Sequence, residues 1–381
     1  MVARLQNTHK PAPSALFKVE NLRIGLQDKA CDLELIKGET LVLLGTDMAA
    51  LALLLDIIAG FQPCIGGRLT LNGVDITPCP AGKRRIALVS ERDPLFPHLT
   101  VRANINFACR AQQQDKGTAA ANTAHLISLL GLDDVATLLP KMLSTEKQLR
   151  TKLARALAYK GDVLLLDDPL SSLTVPAARR VEALLTRLQR ALGLSIIRSE
   201  GRQEIALRSD GIIALFNGRT LLQSAPASIL YERPISAYVA TLFGNANALT
   251  GQITDEYDDI YTVHLACGGV VEASSSLHEH AHKLHIGDTC MVCVRPDRIS
   301  PFFGKNLISS DDELPPVQGT LIETLHLGDH IRMKVRCADG TDIEIHRPPI
   351  QAQKIPKNGT QTTIAWPAAQ ATVFPLEVDL Y

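Results

Sequence analysis

The chain carries almost no net charge: 39 basic residues stand against 40 acidic ones, a formal balance of −1. That removes the electrostatic case for nucleic acid or an anionic membrane surface as a partner. An uninterrupted apolar run of membrane-spanning length is also missing. The stretch that comes nearest, from Leu41 to Ala59, is broken by Gly45 and carries Asp47 and Asp56, which argues against a span. No apolar core precedes Ala15, so residues 1–13 read as a loose polar tail rather than a secretory leader. The eight cysteines are scattered, mostly through apolar segments, as expected of reduced core residues in a cytoplasmic protein. Only Cys290 and Cys293 lie close together, and on a strand their spacing sends the two side chains to opposite faces. No zinc or redox site is expected there. What remains is a hydrophobic content of 46% over 381 residues, enough for two or three domains with separate cores.

One stretch organises the rest. Leu41 to Leu44 reads as a buried strand, Gly45 as a turn, and Met48 to Ile58 as an apolar helix. This is the strand–loop–helix frame of a phosphate-binding loop, whose chemistry requires G-x-x-x-x-G-K-[S/T]. Glycine amides wrap the phosphates, the lysine neutralises them, and the hydroxyl holds Mg²⁺. Here the run is Gly45, Thr46, Asp47, Met48, Ala49, Ala50, Leu51, Ala52. The second glycine has become Ala50, the lysine Leu51 and the hydroxyl Ala52. Taken alone, the stretch also fits an ordinary buried βα unit. Asp47 is expected to cap the helix and take the anion position from within.

The order of the remaining segments is informative. Strand-like runs at Phe17–Leu22 and Cys31–Ile36 precede the turn, and Gly67–Gly73 ends in an Asn-Gly turn. Thr100 is placed to cap a helix, 119–130 and 146–159 have helical periodicity, and Pro176 opens an amphipathic helix to Leu192. Strands at Arg85–Ser90, Val163–Asp168, Ser195–Arg198 and Gly211–Phe216 alternate with these helices, which predicts a mainly parallel α/β core. From about Asn247 the pattern changes to short β runs with turn signals, an all-β domain of one or two barrels. Within it, 309–316 reads as a linker or long loop.

Further segments lie in a telling sequence: Leu95-Phe-Pro-His-Leu-Thr-Val101, Leu143-Ser-Thr-Glu-Lys-Gln-Leu-Arg150, Asp167-Asp168-Pro-Leu-Ser-Ser-Leu173, Tyr231-Glu-Arg-Pro234 and Val294-Arg-Pro-Asp-Arg-Ile299. Together with the loop frame they resemble the ATP-binding subunit of ABC importers, in the branch carrying polyamines, sugars or iron. The likeness runs over nearly the whole chain. It implies a P-loop NTPase-like ABC core at 15–244, with a helical subdomain at about 96–160, and a small OB-like β domain at 245–381. It also implies ATP and Mg²⁺ as cofactors, and a cytoplasmic position, peripheral on the inner membrane face. The implied partners are a membrane permease met through Leu95–Val101 and a second ABC subunit, identical or not, in a dimer.

Against that family pattern, the site positions are degenerate. The Walker A lysine and serine fall on Leu51 and Ala52, and the Q-loop glutamine falls on Glu91. The signature reads Leu143, Ser144, Thr145, Glu146, Lys147, without its glycine pair. The Walker B aspartate is Asp167, the catalytic glutamate is replaced by Asp168, and the D-loop aspartate by Thr174. The switch histidine falls on Glu200 or, in a shifted alignment, Gly201. No aromatic residue stands between Gly25 and Ala30, where adenine would stack. Losing a charged lysine–phosphate bond costs about 1.5–3 kcal/mol. A carboxylate about 6 Å from a phosphate charge repels by on the order of 3 kcal/mol at an effective dielectric of about 20. A total of ~4 kcal/mol turns a micromolar site into a millimolar one. No tightly bound cofactor is therefore expected, and the first reading is an ATPase-deficient importer subunit. Heterodimer rescue fails on both sides, because Leu51 spoils one shared site and Thr145 with Glu146 the other.

Two rival functions follow from the same residues: a divergent active ATPase using Asp167 and Asp168, and a ligand-sensing regulator working through the β domain. His278, His280, His282 and His285 could hold a soft divalent metal, but a solvated loop explains them more simply, and no metal ligand is assigned. Asp167 and Asp168, as strand neighbours, are expected to face opposite ways. Lys83-Arg84-Arg85 reads as a solvated turn. Replacing Leu51 by Lys and Ala52 by Ser is expected to leave folding largely unharmed.

Overall fold

The structure is a computed structural model, and it describes residues 15–275, 284–304, 315–349 and 356–376. The chain divides into two compact units, 1–227 and 228–381.

The strands of the first unit are β1 (Ala15–Leu22), β2 (Cys31–Ile36), β3 (Thr40–Leu44), β4 (Arg68–Leu71), β5 (Val74–Asp75), β6 (Ile86–Val89), β7 (Val163–Leu166), β8 (Ser195–Glu200), β9 (Ile212–Asn217) and β10 (Thr220–Pro226). Its helices are α1 (Met48–Ala59), α2 (Val101–Ala111), α3 (Lys116–Leu129), α4 (Thr145–Ala158), α5 (Val175–Leu192) and α6 (Gln203–Ala206). A small antiparallel sheet runs in the order β2-β1-β4-β5, and a larger one in the order β10-β9-β3-β8-β7-β6. Within the larger sheet β9, β3, β8, β7 and β6 are parallel, and β10 returns antiparallel. That is the expected α/β core.

The parallel strands are apolar because both of their faces are covered. On β7, Val163 and Leu165 enter the core shared with α1 and the small sheet, while Leu164 and Leu166 enter the core shared with α2 to α5. Thr100 caps its helix as expected, and two further helix starts are capped in the same way. Thr100 Oγ1 accepts from Ala103 N at 3.2 Å, Asp115 Oδ1 from Thr118 N at 3.0 Å, and Ser144 Oγ from Lys147 N at 3.3 Å.

The second unit holds helices α7 (Ala227–Glu232) and α8 (Ala237–Gly244), followed among the described residues by strands and short 3₁₀ turns. Strands β11 (Asn247–Tyr257), β12 (Ile260–Leu265), β13 (Val270–Ser275), β14 (Thr289–Val294) and β20 (Ala371–Pro375) close a barrel. Strands β15 (Ser300–Phe303), β16 (Val317–His326), β17 (Ile331–Cys337), β18 (Asp342–Arg347) and β19 (Gln361–Ala365) form a five-stranded sheet. The all-β character from about Asn247 is thus as expected, and the barrel fits the OB-like expectation. Cys290 points into the barrel core and Cys293 to the other face, against Ala240 and Phe374. The two thiols thus lie on opposite faces of β14, as the spacing implied. No described helix is long and apolar enough to cross a membrane.

Candidate functional site

In an open parallel sheet, ligands bind beyond the carboxyl ends of the strands. Here β3, β8, β7 and β6 are neighbours, so the turns that follow them converge: Gly45–Asp47, Gly201–Arg202, Asp167–Asp168 and Ser90–Arg92. Most of the positions implied by the resemblance come together at this edge.

The turn after β3 is short, with only Gly45, Thr46 and Asp47 between the strand and α1. Gly45 N donates to Glu200 O at 3.3 Å, and a Cβ on Gly45 would lie 3.1 Å from Phe216 O. Asp47 is the helix cap, its Oδ1 accepting from Ala50 N at 3.0 Å. A carboxylate is thereby bonded to one amide at a helix start, where an anion would otherwise gain most. Met48 extends to Gly201, where a Cβ would meet its Sδ at 3.1 Å. Ala49 is exposed and Ala52 half-buried. Leu51 corrects the pattern-based expectation. It does not face the cleft but is 0% exposed, within the core that contains Leu54, Leu55 and Phe216.

Asp167 is held by three donors. Ser90 Oγ lies at 2.8 Å, Ser199 Oγ at 3.2 Å and Arg92 Nη2 at 3.1 Å. The Arg92 guanidinium also grips Asp56 of α1 with two bonds, of 2.7 and 3.1 Å. A resident cation therefore bridges the Walker B position to the phosphate-loop helix. Hydrogen bonding to Asp56 is the main reason that the Arg92 guanidinium is held more firmly protonated than usual. Arg92 is half-exposed, so the pairing fixes geometry more than it adds stability. The sequence reading missed Arg92, Ser90 and Ser199. Arg92 directly follows the Q-loop position, but its partners lie far away in the chain.

Glu91 points outward, 59% exposed, and takes a 3.2 Å bond from the buried Lys152 of α4. Asp168 lies past the end of β7, not on the strand, with a left-handed φ of 43°. Strand alternation therefore does not decide where these two aspartates face. Ser199 Oγ links them, since it accepts from Asp168 N at 2.9 Å and donates to Asp167. Burial is the main cause pushing the Asp168 carboxyl above the usual range, and the Asp167 charge adds to it.

Glu200 is a second correction. As the last residue of β8 it is 0% exposed, so it does not stand open beside a phosphate position. Its Oε1 accepts from Arg202 N at 3.2 Å, while Oε2 is buried without a partner. Burial pushes its pKa up, with Asp168 adding to the shift and Arg198 and Arg202 opposing it. A carboxyl with a raised folded-state pKa binds its proton more tightly when folded. Its contribution is fully present below the unfolded-state pKa and is lost as pH rises through the folded one. Glu200→Gln should therefore be more stable than the native chain at neutral pH, by about 1–3 kcal/mol, the cost of an unmet buried acceptor. That advantage should shrink on acidification. Urea denaturation at several pH values checks it, and a gain independent of pH would refute the titration argument.

The signature segment opens α4, with Ser144 as cap and Thr145, Glu146 and Lys147 in the first turn. Glu146 is turned onto its own fold, 13% exposed and bonded to Arg150 at 2.7 Å and to Arg180 of α5. These bonds, Arg180's first, hold its carboxyl below the usual range. Lys147 reaches Gly131 O at 2.7 Å and Asp134 at 2.8 Å, and Leu143 is buried. Thr174 occupies the cap position of α5 without a side-chain bond.

The segment 95–101 lies beside an apolar cavity of about 460 Å³, lined by Phe61, Phe96, Phe107, Ala156 and Tyr159 among others. Phe96 and Phe107 meet edge to face at 4.8 Å, and the Arg155 guanidinium lies 5.5 Å from the Phe96 ring. The buried Asn104 fixes this segment by bonding Phe96 N and the carbonyls of Phe96, Leu99 and Thr100.

Of the histidine cluster, His278, His280 and His282 lie outside the described residues. Among the described residues no group of three or more His, Cys, Asp or Glu is placed to hold a metal. The basic turn is a third correction. Lys83 and Arg85 are exposed, but Arg84 is 3% exposed and donates to the carbonyls of Ile57, Ile58, Thr77 and Cys79.

A parallel sheet with a strand–turn–helix at its carboxyl edge, a helical insert at 101–158 and a following β unit define the class: a protein of the ATP-binding-cassette type. The comparisons with known proteins agree. The ABC transporter family matches residues 29–171 and the TOBE domain family residues 292–374. The spermidine/putrescine import ATP-binding protein PotA of Thermobifida fusca is 29% identical over 91% of this chain and 88% of its own length. The putative 2-aminoethylphosphonate import ATP-binding protein PhnT of Salmonella choleraesuis is 30% identical over 79% of this chain and 82% of its own. PotA of Thermotoga maritima is 27% identical over 84% and 85%. The chain belongs to the family of ABC importer ATP-binding subunits that carry a C-terminal TOBE domain.

Proposed function

We propose that this chain is an importer subunit of the polyamine-type branch that docks on a membrane permease but neither binds nor hydrolyses ATP at physiological concentration. The observation that carries this reading is the Arg92 bridge between Asp167 and Asp56. It puts a fixed guanidinium on the carboxylate that the family uses for Mg²⁺. The residues fit a magnesium triphosphate poorly in other ways too. The lysine position is a buried leucine, and a capping carboxylate stands at the start of α1. The signature position holds Glu146, already bonded to two arginines. Arg92, Asp47 and Glu146 are thus already bonded within the chain, which supports a cassette held together without nucleotide.

The docking part of the reading rests on the cavity beside Phe96 and Phe107, whose aromatic walls suit an apolar helix of the permease. The relatives' names assign them to import of spermidine, putrescine or 2-aminoethylphosphonate, and a small amine-bearing solute is the class we assign here. The protein would then work at the inner membrane face, paired with an identical or a different ABC subunit.

Calorimetric titration of the purified full chain with Mg–ATP tests the nucleotide claim. No saturable heat is expected at micromolar to low millimolar ligand. Micromolar binding that Asp167→Asn alters would overturn the claim and favour the divergent ATPase.

A further inference from the structure

A second cavity, of about 470 Å³, lies among the starts of β3 and β9, the middle of β8 and one face of α5. Leu166 at the end of β7 also lines it, but Gly45, Asp167 and Glu200 do not, and its volume is within the range of small-molecule sites. Arg198 of β8 lines it and is only 7% exposed. Arg198 Nη2 donates to Ile205 O at 3.2 Å, whereas its Nε–H is buried without an acceptor. Among the described residues Arg198 makes no ion pair. The charges of Glu200 and Glu182 offset part of the cost of burying it, and a bound anion would offset more.

The other charged groups on the wall are mixed. Glu182 pairs with Arg208 at 3.4 Å, and Arg190, Glu39 and Asp210 complete the lining. Three guanidiniums therefore face three carboxylates. That balance favours a compact anion or zwitterion over a polyphosphate. We propose that this cavity binds a small oxyanion, a carboxylate or a phosphate monoester, whose oxygens meet the guanidiniums of Arg198 and Arg208 on its wall. The planar guanidinium fork suits both oxyanions. The site uses none of the residues at the degenerate nucleotide edge. Failure of either reading therefore leaves the other standing.

The test is a titration of the full chain, labelled with ¹⁵N-arginine, followed through the arginine Nε–H signals. Acetate and inorganic phosphate are the two probes, with sodium chloride at matched ionic strength as control. The Arg198 signal, identified by its loss in Arg198→Met, should shift saturably with one probe or both, and whichever does names the ligand class. Calorimetry with that probe should show affinity about ten- to a hundredfold weaker in Arg198→Met, the loss expected for a hydrogen bond to a charged group. If Arg198→Met does not fold, Arg208→Gln on an exposed side chain reads the same site and should weaken binding several-fold. No saturable shift beyond the chloride control overturns the proposal. So does affinity unchanged in Arg198→Met or, where that variant does not fold, in Arg208→Gln.

Discussion

The double substitution Leu51→Lys/Ala52→Ser should lower stability by about 3–5 kcal/mol and still give no ATPase activity. The cost arises almost entirely at Leu51. That side chain is 0% exposed and belongs to the core formed by α1, β3 and the small sheet. A lysine there either buries an unpaired ammonium or is neutralised and leaves a packing defect, and both outcomes fall in this range. Ala52 is half-buried, so its added hydroxyl contributes little. The family pattern alone suggests that a lysine would be accepted there, because in that pattern the position faces a phosphate. In this chain α1 starts at Met48 and turns residue 51 inward. Restoring the motif therefore removes core without creating a site, since Arg92 and Asp47 keep their bonds. Urea unfolding of the variant, alongside a phosphate-release assay, measures both halves. An unharmed midpoint together with ATP turnover would show that the lost lysine alone disabled the cassette.

The architecture was legible because it is encoded locally. Continuous apolar runs such as Val163–Leu166 belong to strands covered on both faces, and Thr100 stands where a cap must stand. Periodicity and capping need only neighbours in sequence. The positions of the degenerate site were also legible, because the order of motifs carries them. Their present roles were not. Arg92 reads as a surface cation until the fold brings Asp56 and Asp167 to it. Glu200 reads as a cleft residue until the register of β3 and β8 pairs it with Leu44 and closes it in. Those roles depend on contacts between distant segments, to which a linear pattern is blind. What is local in this protein follows the family, and what is long-range has been rebuilt around its own charges.

Arg84 shows the same limit with a larger energetic consequence. In Lys83-Arg84-Arg85 nothing separates the middle arginine from its neighbours, yet it alone is buried. Its Nη1 lies 2.6 Å from Ile57 O and 2.9 Å from Ile58 O, at the end of α1. Its Nε and Nη2 take the carbonyls of Cys79 and Thr77 at 2.7 and 3.0 Å. The last carbonyls of a helix need donors, and the helix dipole favours a cation there. Arg84→Met should therefore cost about 3–5 kcal/mol. Single charged bonds contribute about 1.5–3 kcal/mol each, without full additivity, and the orphaned carbonyls remain buried. Arg84→Lys keeps the charge but not the fork, and should recover less than half of the loss. Gly60 supplies an internal control. It caps α1 with a left-handed φ of 87°, and a Cβ there would approach Arg84 Nε to 2.7 Å. Gly60→Ala should be destabilising in the native chain and somewhat less so beside Arg84→Met, because the contact with Arg84 is relieved while the contact with Ala81 N and the backbone strain persist. Chemical denaturation of the four combinations measures that coupling. A loss below about 1 kcal/mol for Arg84→Met would put it among ordinary surface changes and restore the solvated-turn reading.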